Sequence, residues 1–190
     1  GDIPRSTPAL SDLNNVEQLI DSLQIRRGNP TLKMSTVYNN TLNFDYRKGL
    51  FSGSLYLLYQ YQRKPNMEET IRENDLFIRT IANQRSWQKL NPEIEVKVGP
   101  FKDILSLSVT TGINYFDSRG HNYHHTYTNW YYRASIMASY KNWSSFFEIQ
   151  NHRNDFYGET LRYGENYHIL GINYRYKQLT AGIMGLNLFS

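Results

Sequence analysis

The chain has 190 residues, enough for one domain with a sizeable core, and no cysteine, which excludes disulfide frameworks, thiolate metal sites and thiol nucleophiles. Its net charge of +4 is spread along the sequence and leaves no nucleic-acid footprint. The negative mean hydropathy and the lack of any apolar run of ~18 residues exclude a transmembrane helix, but not a membrane barrel, whose lumen-facing half is polar.

Residues 1–30 differ from the rest. Gly1 is not a natural initiator and reads as the start of a processed or engineered piece. Asn14 followed by Glu17 resembles a capping box, and Val16, Leu19, Ile20 and Leu23 recur at helical spacing, which predicts one short helix over Asn15–Leu23 packed against neighbouring loop. Arg26-Arg27-Gly28-Asn29-Pro30 reads as a turn. Strands are then predicted at Thr36–Tyr46 and Leu50–Gln62, joined tightly at Arg47–Gly49. Arg63–Asp75 reads as a long polar loop, and a third strand lies within Leu76–Val98, with Asn91-Pro92 suggesting a bulge or an edge. In Ile104–Asp117, Leu105, Leu107, Val109, Ile113 and Tyr115 share one parity, while Ser106, Ser108, Thr110, Gly112 and Asn114 share the other. About a dozen residues suffice to cross a bilayer as a strand. Ser118–His125 reads as another loop; strands follow at Thr126–Tyr140 and Trp143–Phe156, then a long connection over Tyr157–Glu165 and a last hairpin, Asn166–Tyr176 with Leu179–Phe189. The expected fold is all-β: an antiparallel up-and-down meander of about eight long strands.

Short and long connections alternate strictly, as in outer-membrane barrels with short periplasmic turns and long extracellular loops. Aromatic residues cluster at both strand ends: Tyr46, Phe51, Phe101, Tyr140 and Trp143 near the short turns, and Tyr59, Tyr61, Tyr115, Phe116, Tyr127, Trp130 and Phe156 near the long loops. The alternative is a soluble β-barrel whose apolar parity faces inward, binding a small ligand or a partner protein. If Arg47–Gly49 is periplasmic, both chain ends fall on the extracellular side, so the chain is expected to be part of a larger barrel, with residues 1–30 as an extracellular-loop-like segment and 31–190 as the barrel segment. Open strand edges and an apolar outer face then imply self-association of the isolated piece.

The run QIRRGNPTLKMSTVYNNTLNFDYRKG, Gln24–Gly49, resembles the Gly-Asn-Pro-x-Leu-Lys segment that opens a strand in the barrels of TonB-dependent receptors, and is most similar to the outer-membrane barrel family common in Bacteroidetes. The terminal GIMGLNLF, Gly182–Phe189, fits more loosely. The resemblance implies uptake of a scarce nutrient across the bacterial outer membrane, driven by TonB, with lipid, a plug and the remainder of a ~22-stranded barrel as partners.

Candidate chemistry is thin, and neither an enzyme nor a cofactor is expected. There is no Gly-x-Ser-x-Gly, phosphate loop or zinc-protease motif. His121, His124 and His125 lack a carboxylate within their motif, so no metal is assigned. Glu68, Glu69, Glu73 and Asp75 lack calcium-loop spacing and read as solvated charge. Glu93 and Glu95 share a face, which in a barrel is the lumen. Tyr123, Tyr127, Tyr157 and Tyr163, with His124, fall in or near outward connections, where aromatic rings stack on a sugar, hold a peptide or complete the upper girdle. Arg26 and Arg27 pair with an anionic ligand or with loop acids; the sequence does not choose.

Overall fold

Alternation of apolar and small polar residues over ten or more positions leaves the chain little choice but long strands, and these dominate the computed structural model, which describes residues 5–188. In order come β1 (Arg5–Ser6), the helical turn α1 (Leu10–Leu13), β2 (Glu17–Leu19) and β3 (Gln24–Arg27). Next are β4 (Ser35–Lys48), β5 (Phe51–Arg63), β6 (Asn66–Glu73), β7 (Leu76–Asn83), β8 (Ser86–Phe101), β9 (Leu105–Arg119), β10 (His124–Tyr140) and β11 (Trp143–Gln150). The chain closes with β12 (Asp155–Tyr157), β13 (Thr160–Arg162), β14 (Tyr167–Tyr176) and β15 (Leu179–Leu186).

The main sheet runs β1-β4-β5-β8-β9-β10-β11-β14-β15, antiparallel throughout: eight long strands and the two-residue β1. Among the described residues its two edges do not meet. Register fixes the faces. Leu42, Leu57 and Pro92 pair in a row, and Leu55, Ile94, Thr111 and Tyr132 form the next. On this face Leu42 is 60% exposed, Ile94 51% and Val109 50%. The opposite parity of β9 is the buried one: Thr110, Asn114, Phe116 and Ser118 are all at 4% or below. The apolar face therefore points out and the small polar face in, the reverse of a soluble barrel.

Outward rings mark two levels. Tyr46, Phe51, Tyr140, Trp143 and Tyr174 ring the short-turn end, with Trp143 and Tyr174 centroids 4.6 Å apart. Tyr38, Tyr59, Tyr115 and Trp130 ring the other. Trp130 and Tyr140 share β10; ten residues at ~3.3 Å each, tilted ~40°, span a height of ~25 Å, the thickness of a membrane barrel's apolar band. Phe116, Tyr127 and Phe156 do not join the upper girdle as predicted. Parity turns Phe116 and Tyr127 inward, and Phe156 lies in β12 of the connection that folds onto them; Phe116 is fully buried and Phe156 nearly so.

Four further expectations change. Residues 15–23 are not helical: α1 lies earlier, and β2 pairs with β3 around a turn in which Leu23 N donates to Asp21 Oδ1 at 2.8 Å. A nine-residue helix is marginal alone, and Val16, Leu19 and Leu23 remain exposed rather than packed. Residues 63–75 are largely ordered as β6, whose hairpin with β7 turns on Asn74 and Asp75, both at positive φ; this Asn-Asp pair between alternating runs was a type I′ signal in the sequence. Asn91-Pro92 sits in an internal strand without a bulge; the irregularity falls at Val98–Phe101. Residues 118–125 form only a tight reversal, because β9 and β10 run on to Arg119 and from His124.

Candidate functional site

At the loop end of the sheet, the inward parity of β8, β9 and β10 carries Trp87, Phe116, Tyr127 and Tyr131 with Asn91, Glu93, Asn114 and Asn129 among them. The connection after β11 folds onto this wall. Phe156 packs with Met67, Trp87 and Phe116, against Tyr123, Tyr127, Tyr157 and Leu161. Trp87 Nε1 donates to Phe156 O at 2.9 Å, Asn154 Nδ2 to Tyr127 Oη at 2.6 Å, and Asn154 N to Asn129 Oδ1 at 2.9 Å. Lower down, the Arg153 guanidinium lies 4.2 Å from the Tyr131 ring centre and 3.7 Å from Glu93, whose Oε2 accepts Tyr131 Oη–H at 2.7 Å. The inner wall is thus already filled by its own loop.

The predicted site residues separate into four places. Tyr123, Tyr127 and Tyr157 meet in the aromatic cluster. Burial pushes the Tyr157 phenol up to about 12 and raises that of Tyr123 further; Tyr157 Oη donates to Gln62 Oε1 at 3.2 Å. Tyr163 lies apart and 78% exposed. His124 Nε2 lies 3.2 Å from Asp117, which Arg119 also holds at 2.9 Å. His121 contacts Gln84 and His125 stacks on Tyr123, so the three histidines face different partners.

Arg26 and Arg27 lie in β3, part of a second sheet ordered β2-β3-β7-β6. Arg27 is held by Glu17 at 2.6 Å and approaches Glu73 at 3.7 Å. Arg26 lies beside a cleft shared with Arg79 and Asp12. The sequence reading placed Glu93 on the lumen face but missed Arg79, Arg153 and the inward set of Trp87, Asn91 and Tyr131. The parities of β8 and β10 were a signal for the last group, whereas Arg79 fell in a stretch whose strand was not delimited and Arg153 in the predicted strand Trp143–Phe156, which ends at Gln150.

No curated protein and no solved structure matches the chain. A family model does, over residues 4–181: the outer membrane protein beta-barrel family. An apolar outward face between two aromatic levels, a polar inward face filled by loops, and a family match over nearly the whole sequence agree, and the chain belongs to the outer membrane protein beta-barrel family of the bacterial outer membrane.

Proposed function

We propose that this chain forms part of the barrel wall of a TonB-dependent receptor that takes up a nutrient, without catalysis. The observation that carries the reading is the inward face of β8–β10, a wet wall of Asn, Glu and Tyr covered from the loop end by residues 151–165. A lumen occupied by protein is the design of large plugged barrels. The Gln24–Gly49 resemblance and the unpaired edge of β15 fit a wall that continues into further strands, with plug and TonB as partners. On this reading residues 1–30 and the β6–β7 hairpin lie outside the cell. Arg26, Arg27, Tyr123, His124 and Tyr163 face an arriving ligand, while Tyr127 and Tyr157 hold the covering loop.

The test is growth on a panel of sole nutrient sources, comparing a strain that lacks the protein with its parent, each with and without functional TonB. A nutrient whose use needs both the protein and TonB is the expected result. Use that depends on neither, or on the protein equally without TonB, overturns the reading.

A further inference from the structure

The cleft beside Arg26 has a feature that ordinary loop packing does not require. β3 and β7 pair in parallel with Arg26 directly beside Arg79, so two guanidinium-bearing residues stand one strand spacing apart, ~4.8 Å, on one face. Like charges placed side by side destabilise a sheet unless something lies between or around them. Acids flank the pair without saturating it. Arg79 donates to Glu68 Oε2 at 3.0 Å, but that oxygen also accepts Thr160 Oγ1–H at 2.9 Å. Arg26 reaches Asp12 only at 3.7 Å, beyond hydrogen-bond range. Its half-exposed guanidinium donates no hydrogen bond to any described residue. Arg27, the third arginine of the lining, is already paired with Glu17 and Glu73, so the hydrogen-bonding capacity left open in the cleft belongs to Arg26 and Arg79.

The walls are built rather than incidental. The cleft encloses about 240 Å³ between the sheet and α1, with Ile20 and Ile81 as its apolar sides. Gly28 has the α1–Asn14 segment pressed directly on its backbone; a Cβ there would collide with the Asn14 carbonyl. Asn29 then ties both sides together: its N–H donates to Asp12 O at 2.6 Å and its Nδ2 to Ile81 O at 3.0 Å. The Gly28-Asn29 step therefore fixes the distance between α1 and β7, and with it the cleft's width.

We propose that this cleft binds a small organic anion, a carboxylate or a phosphate ester, held by Arg26 and Arg79 together. Each guanidinium presents a planar fork that matches such a group. The apolar sides accept the rest of a molecule of modest size. The proposal concerns binding alone and holds whether or not TonB drives uptake, so failure of one leaves the other standing.

The test is calorimetric titration of the full chain in detergent with citrate, with glucose 6-phosphate, and with glucose as the neutral control. Saturable binding of at least one anion, absent for glucose, is expected. Arg26→Gln and Arg79→Gln each weaken it at least tenfold, Arg26→Lys less, and Lys177→Gln at the far end of the barrel wall leaves it unchanged. Circular dichroism of each variant confirms the fold. No binding of either anion, glucose binding as tightly as its phosphate, or a loss confined to one arginine overturns the two-arginine site.

Discussion

Asn91 shows how one side chain repairs a backbone fault. Pro92 stands opposite Ile113 in the β8–β9 register and has no N–H to give its carbonyl. Asn91 Nδ2 supplies that bond at 3.0 Å, and also donates to Tyr131 Oη at 2.8 Å, while its Oδ1 accepts from Arg153 at 3.2 Å. This is why a proline is tolerated in a central strand. Asn91→Ala strands several buried groups and is expected to cost about 2–3 kcal/mol, read by urea unfolding in detergent micelles. Adding Pro92→Ala returns an N–H to the ladder and should recover part of that loss; no recovery would sink the repair idea. Gly112 has a related role, since the Tyr131 ring lies across it and a Cβ would collide with the phenol oxygen. Tyr157 makes a pH prediction. Its folded pKa, about 12, lies above the ordinary value of 10. Between those values the folded state holds the proton and the unfolded state does not, so the contribution is complete below about pH 10 and disappears as pH rises toward 12. Wild type should lose more stability over that window than Tyr157→Phe, with the two curves parallel below it.

Among the elements, the covering loop depends on Phe156, which fills the space between Trp87 and Phe116. Phe156→Ala is expected to cost about 3–4 kcal/mol locally, freeing residues 151–165 to limited proteolysis while the strands stay protected. Intact resistance would mean the polar contacts of Arg153, Asn154 and the Phe156 carbonyl hold the loop without the ring. The strands carry a sharper test, because neighbours point to different solvents. Leu42 faces out and Asn43 in on the same strand, and both are exposed. Leu42→Arg places a charge in lipid at a cost of about 2–4 kcal/mol if near the midplane, whereas Asn43→Arg meets water and should cost little. Refolding yields into vesicles compare the two; equal yields would contradict the assignment of faces.

For the whole molecule, surface area states the same conclusion. The chain exposes 13,321 Å², against roughly 9,400 Å² for a compact soluble monomer of its mass. The excess reflects an open sheet whose apolar outward face is exposed, whose β4 is exposed on both faces, and whose edge strands lack partners among the described residues. Without detergent the chain should self-associate; light scattering on a size-exclusion column should give a defined species only in micelles. A monodisperse monomer in plain buffer would overturn the lipid-facing assignment.

Most long strands of the main sheet, their antiparallel pairing and the division of each into two faces are legible in the sequence. Period-two alternation is a local signal, and in Leu105–Tyr115 it names the outward residues one by one. The short turns were legible too: Lys141-Asn142 and Lys177-Gln178 join the hairpins where they were predicted, with both lysines at positive φ. Beyond the strand ends the outcome depends on segments far apart in the chain. Val16, Leu19 and Leu23 carry helical spacing, yet Glu17–Leu19 gains a partner in β3, which β7 in turn holds from some fifty residues away. Phe116 reads as a girdle residue by its level although its parity, shared with Thr110 and Asn114, already turns it inward, and Phe156 does so because the predicted strand Trp143–Phe156 in fact ends at Gln150. The cleft at Arg26 needs Arg79 and Asp12, brought together by a parallel pairing and by the Asn29 bridge. Such long-range juxtapositions leave no periodic trace, since each segment's own pattern is satisfied without them.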